Sequence, residues 1–175
     1  MEAIKKVWEL VCKGFNYILD YPERYEKNVD AYQEQKKSEA IRFQCAVRER
    51  DVYPVLAQCV GNCLRDNGTR CGLERPARLE QFFTPENRRV GYSENLGYYY
   101  CFLVRRASVS CIKDGSLQTE YADMSAQNIR EQLDEVMGTY TRQQGFPYVS
   151  VFNVRNCTNS RVLVAITWGE KYGEI

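Results

Sequence analysis

The stretch YYYCFLVRRASVSCIKDGSLQTEY, residues 98–121, decides the fold class. Tyr98 to Ile112 is dense in aromatic and β-branched side chains, which suit a pleated, half-buried strand. Asp114-Gly115 offers the left-handed residues of a tight hairpin turn, and Leu117 to Tyr121 returns. Downstream, Ile129, Leu133, Val136, Met137 and Tyr140 recur at helical spacing, which predicts a helix from about 125 to 142 with Ser125 or Asp123 as N-cap. Gly145-Phe146-Pro147 breaks it. Tyr148 to Arg155 and Val162 to Trp168 read as two more strands, joined by residues 156–160. The order β-β-α-β-β predicts a small, mostly antiparallel sheet covered by one helix.

Upstream, the pattern turns helical. Ile4, Val7, Trp8, Val11, Phe15, Ile18 and Leu19 make an amphipathic helix over the first 20 residues. Pro22 suits the start of a second helix, read over 23–49. Its apolar positions, Tyr25, Val29, Tyr32, Ala40, Phe43 and Val47, form a thin seam interrupted by Lys36. A long helix with so narrow a stripe is unstable alone. It is expected to pair with the first helix as a hairpin, leaving the Tyr25–Tyr32 side for a partner or for a homodimer. Val52, Leu56, Cys59, Val60, Cys63 and Leu64 form a third helical stripe, ended by Asp66-Asn67-Gly68. The whole is therefore read as α+β: a helical region at 1–70, an irregular connector at 71–97 with a short helix around Leu79, Phe82 and Phe83, and an α+β sheet domain at 98–175. These segments are also compatible with one continuous globular unit.

With 175 residues the chain is long enough to bury a core without a staple. Its longest apolar run, Tyr98 to Val104, falls far short of the roughly 20 residues that cross a bilayer, so no membrane partner is expected. The N-terminal residues carry too many charges for the apolar core of a signal peptide. Eight cysteines are therefore read as free thiols in a reducing cytoplasm. The net charge of +1 divides into +1 over residues 1–50, +3 over 51–113 and −3 over 114–175. That is no clustered basic stripe of a dedicated duplex-DNA binder.

The chain has no histidine, which removes every mechanism that needs an imidazole base or ligand. Cys59, Cys63 and Cys71, with Cys45 upstream, could in principle offer four thiolates to zinc. However, Cys59 and Cys63 lie on the apolar stripe of a helix, so core packing is the reading and no metal or cofactor is expected. Cys111 beside Lys113, and Cys101 before Arg105-Arg106, lack an identifiable base. Asp134 and Glu135 point away from the stripe of their helix and read as a solvated face. No Gly-rich phosphate loop occurs.

One constellation remains. Arg88, Arg89, Tyr92, Tyr98, Tyr99, Tyr100, Phe102, Arg105 and Arg106 interleave aromatic and cationic side chains over one segment. Thirteen tyrosines are too many for a core to satisfy. Such a surface suits plain sheet burial, a protein interface rich in Tyr and Arg, or a platform for unpaired bases. On an alternating strand Tyr99, Cys101 and Leu103 share one face and Tyr98, Tyr100, Phe102 and Val104 the other, and both faces are apolar. Tyr25, Tyr32, Arg88, Arg89, Tyr92, Tyr98, Tyr100, Arg105 and Arg106 form the candidate binding set. The expected function is a non-enzymatic interaction protein, an adaptor or inhibitor of the kind phages and mobile elements encode. It is expected to act on a protein or protein–nucleic-acid complex. The alternative is a nucleic-acid-binding module using the 88–106 surface.

Overall fold

The computed structural model describes residues 5–7, 9–11, 13, 21–78, 89–145 and 149–169, with the side chains of 21–23 aside. The described residues within 5–13 are helical, whereas residues 14–20 and the short helix expected around Leu79, Phe82 and Phe83 lie outside the described residues. Helix α1 spans Tyr21–Asp51, α2 spans Tyr53–Asn67, and a single 3-10 turn covers Gly68–Cys71. Strands follow at β1 (Arg89–Ser93), β2 (Gly97–Arg105), β3 (Ser108–Lys113) and β4 (Ser116–Tyr121), then α3 (Ala126–Gln144), β5 (Val149–Thr158) and β6 (Arg161–Trp168). The fold is α+β. The chain divides into two compact units, Met1–Phe43 and Gln44–Ile175. No described helix is long and apolar enough to cross a membrane.

In the first unit α1 exposes its seam: Tyr25, Tyr32 and Phe43 are 59%, 58% and 66% exposed. In the second unit β1, β2, β6 and β5 form, in that order, a fully antiparallel four-stranded sheet. Helices α2 and α3 supply Tyr53, Leu56, Val60, Leu64, Ile129, Leu133 and Met137 to one core, shared with Tyr100, Phe102, Val104, Val149, Val151, Val162, Val164 and Ile166. Tyr53 stacks on Phe102 with ring centroids 4.8 Å apart, and its hydroxyl donates to the Cys101 carbonyl at 3.1 Å. Side chains of this size, fully buried, contribute about 1.5–3 kcal/mol each. Helix α3 begins as its sequence predicts: Ser125 Oγ accepts from Asn128 N at 3.1 Å.

Three local expectations need correction. The single strand expected over 98–112 is two strands that belong to different sheets. Arg106 N donates to Ser160 O and Ala107 N to Gly72 O, so the chain leaves the main sheet at this point. β2 then pairs with β1 and β6, and β3 pairs only with β4. The strand order is accordingly longer than β-β-α-β-β by the β1 strand and by this break. The second correction concerns the connector. Residues 89–97 are not irregular: they form β1 and the turn into β2, where Gly97 takes φ +72°, a conformation open to glycine. The third is Asp134, which is half-buried and accepts from Val151 N at 2.7 Å. It ties α3 to β5 rather than lining a solvated face.

The β3–β4 hairpin leaves the Ile112–Leu117 cross-strand pair exposed. A lone two-stranded hairpin is marginal in water. Here the Lys113–Glu120 ion pair and the bond from Ala122 N to Ala107 O support it.

Candidate binding face

Antiparallel register places each strand residue on one of two faces, because directly opposite residues share a face. Tyr100 pairs with Ile166 and Phe102 with Val164, and these residues face the helices. Their neighbours Tyr99, Cys101, Leu103 and Arg105 therefore point to the outer face. Through the pairings Cys101↔Ala165, Leu103↔Leu163 and Arg105↔Arg161, so do the residues opposite them on β6. Arg89 lies opposite Cys101, and Gly91 opposite Tyr99, which puts both on the outer face as well. Arg155, opposite Leu163, joins them from β5.

Each strand of the sheet carries one arginine: Arg89, Arg105, Arg155 and Arg161. All four are exposed and all four lie on this face. None of the four strands contains Asp, Glu or Lys. Among the described residues none of these arginines forms an ion pair. Arg105 and Arg161 are direct cross-strand neighbours, an arrangement of like charges that opposes sheet pairing. The charge is felt at the centre of the face. Burial pushes the Cys101 thiol up, and the Arg89 and Arg155 guanidiniums pull against that rise.

Two rings complete the face. Tyr99 and Phe152 meet edge to face with centroids 5.8 Å apart, across the β6 strand that separates their own. Two local features make this contact. β5 shifts register between Val151 and Asn153, so Phe152 is the extra residue of a bulge and is turned outward. On the other side Gly91 leaves room for the Tyr99 ring: a Cβ at position 91 would stand 2.3 Å from Tyr99 Cζ.

The residues singled out from sequence divide between these surroundings. Arg89 and Arg105 are on the outer face. Tyr100 is fully buried in the core and is withdrawn as a binding residue. Tyr98 and Tyr92 lie on the inner side with centroids 5.0 Å apart, and the Arg48 guanidinium sits 3.7 Å over the Tyr98 ring. This contact ties Arg48 to β2, and the bond from Val90 N to Glu49 Oε1 at 3.4 Å ties Glu49 to edge strand β1. Arg106 is 7% exposed and structural. Its guanidinium donates to Ala122 O at 3.1 Å, Met124 O at 2.7 Å and Asn156 Oδ1 at 2.6 Å. It braces the chain where β2 ends and is also withdrawn. Tyr25 and Tyr32 stand exposed in the first unit. Arg88 lies outside the described residues.

Sequence reading missed Phe152, Arg155 and Arg161, and it left Tyr99, which it saw in the interleaved segment, out of the candidate set. For Tyr99 the signal was the period of two, since Tyr98 and Tyr100 turn inward; Arg155 after Val154 and Arg161 before Val162 show it on one side only, and Phe152, the bulge residue, breaks it.

The thiols follow their burial. Cys59, Cys63 and Cys71 are buried and Cys45 is half-buried on α1. Burial pushes Cys59 up to about 11 and Cys63 up to about 12. Neither is a nucleophile near neutrality. Among the described residues no three of His, Cys, Asp and Glu converge in an arrangement that would hold a metal ion. The chain matches no protein-family model, no curated protein and no solved structure.

Proposed function

We propose that the chain is a non-enzymatic binding module that holds a polyanionic macromolecule on the outer face of its four-stranded sheet. One observation carries this reading: four strands give one arginine each to the same face, with no acidic residue among them. Ordinary protein surfaces mix signs, and a face of one sign focuses oppositely charged partners. The Arg105–Arg161 pair strengthens the argument, since two like charges held side by side are stabilised by an anion between them.

Retention on a heparin column tests it. Wild type should be retained, and Arg105→Glu/Arg161→Glu should elute at much lower salt. The control Arg65→Glu/Arg70→Glu changes the net charge equally, away from this face. Equal shifts for the two double variants would reduce the effect to net charge and overturn the proposal.

A second reading has its own observation. The exposed seam of Tyr25, Tyr32 and Phe43 on α1 supports a protein partner or a second copy of this chain. Light scattering across a range of concentrations, on wild type and on Tyr25→Glu/Tyr32→Glu, tests the second copy. A monomer mass for both eliminates the homodimer.

A further inference from the structure

We infer that the polyanion held on this face is a single-stranded nucleic acid, with unpaired bases on Tyr99 and Phe152 and phosphates on the four arginines. The inference rests on the polyanion reading above and adds the chemistry of the partner. A duplex presents phosphate ridges and hides the flat faces of its bases. An unpaired strand presents both, and stacking on an aromatic ring is favourable for any base.

The outer face supplies the two elements in separate places. Along β2, Tyr99 and Arg105 lie six residues apart, about 20 Å at strand rise. The ring pair occupies one end of the face and the Arg105–Arg161 pair the other. Arg89 and Arg155, on edge strands β1 and β5, flank the track between them. The middle of the face is apolar: Cys101 and Ala165 are both 7% exposed, and the half-buried Leu103 and Leu163 lie between them and the Arg105–Arg161 pair.

Strand alternation puts Tyr99 on this face, and two local devices that core packing does not require complete the ring pair. The bulge in β5 turns Phe152 outward, and the lack of a side chain at Gly91 gives the Tyr99 ring its position over β1. An acidic peptide would satisfy the arginines but has no use for the rings.

Fluorescence anisotropy with the full chain tests the inference. The probes are a labelled mixed-sequence 12-nucleotide RNA, the DNA strand of the same sequence, its 12-base-pair duplex, and polyglutamate as competitor. Neutralising four phosphates of a single strand gives a slope of log K on log salt of about −2.8. Arg105→Gln/Arg161→Gln should halve that slope to about −1.4. Tyr99→Ala and Phe152→Ala should each weaken single-strand binding between about fivefold and a hundredfold and leave the slope unchanged. Gly91→Ala, which displaces the Tyr99 ring without changing charge or ring, should weaken binding in the same sense. Thermal melting confirms that each variant is folded.

Preference for either single strand over duplex, with loss on the ring variants, supports the inference, and the RNA and DNA arms distinguish the sugar. Duplex binding as tight as single-strand binding overturns it. So do ring variants that bind like wild type, or polyglutamate that competes as well as an unlabelled strand. In those cases the heparin result still stands, and only the identity of the polyanion falls. Failure to bind any of the four probes, with no retention on heparin, removes both readings.

Discussion

The inner and outer faces of the four-stranded sheet are made by the same residues in alternation, and they follow different rules. The inner face carries Tyr100, Phe102, Val104, Val162, Val164 and Ile166, all buried against α2 and α3. The outer face carries small or half-buried residues at its centre and an arginine from each strand. Burial accounts for the inner choice of residues through area and close packing. It does not account for the outer one. Four cations without a carboxylate on the same strands gain nothing for the fold, and the opposed Arg105–Arg161 pair costs it a little. A face that gives up stability while its reverse side maximises it is the one on which function is sought.

The largest expected effect separates the two faces by stability. Phe102→Ala should cost about 3–5 kcal/mol in chemical denaturation, since the ring is fully buried and stacked on Tyr53. Tyr99→Ala, next to Cys101 on the outer face, should cost much less. Equal losses at the two positions would break the distinction between a packed face and a presenting face.

Arg105 and Arg106 sharpen the comparison, because they are adjacent in sequence and opposite in placement. Arg106→Ala removes three hydrogen bonds to Ala122 O, Met124 O and Asn156 Oδ1, and should cost about 2–3 kcal/mol. Arg105→Ala should change stability by no more than about 0.5 kcal/mol, as exposed substitutions do. A heparin column should reverse the ranking of the two variants, provided Arg106→Ala is kept below its melting temperature.

The core thiols give a pH test of the inner side. Folded Cys59 and Cys63 ionise near 11 and 12, against about 8.5 for a thiol in the unfolded chain. Between those limits the folded state holds more protons than the unfolded one, so stability falls as pH rises. It is fully present below about pH 8.5 and declines towards pH 11, by about 1 kcal/mol or more for each thiol. Denaturation midpoints at pH 7, 9 and 10.5 measure it. Cys59→Ala/Cys63→Ala should flatten the decline, and an unchanged slope would assign it to other groups.

Much of the fold was legible because burial imposes a period. The stripe from Ile129 to Tyr140, capped by Ser125, reads as a helix, and the structure has one there. The break between β2 and β3 was not legible. Residues 98–112 keep strand chemistry throughout, and the chain turns at Ala107 because of bonds to Ser160 and Gly72, each remote in sequence. The candidate surface was half legible. The interleaved Arg and Tyr residues of 88–106 drew attention to β2, but not to the face on which the arginines of the four strands gather. Tyr98 and Tyr100 looked as eligible as Tyr99, because both faces of β2 are apolar. Arg155 and Arg161 were invisible as partners of Arg89 and Arg105, since the register that unites them exists only after the sheet has formed.

The smallest expected effect is also the most specific to the outer face. Arg105 and Arg161 lie opposite each other, where Cβ atoms stand about 4.5–5.5 Å apart and like charges disfavour pairing. Arg161→Thr removes one charge and supplies a β-branched residue suited to a strand, so it should stabilise the free protein by a few tenths of a kcal/mol at low salt. The charge-dependent part should fade as added salt shortens the Debye length to about 3 Å at 1 M, while the part due to strand propensity persists. Arg161→Lys keeps the charge and should show no salt-dependent gain. A bound polyanion should reverse the sign for Arg161→Thr, because the wild-type pair then shares an anion that the variant holds with one guanidinium. Melting temperatures of the three proteins, with and without heparin and at two salt concentrations, contain the whole test. A gain for Arg161→Thr that is indifferent to salt and to heparin would mean that the paired arginines do not sense each other. The outer face would then lose the feature that most clearly asks for an anion.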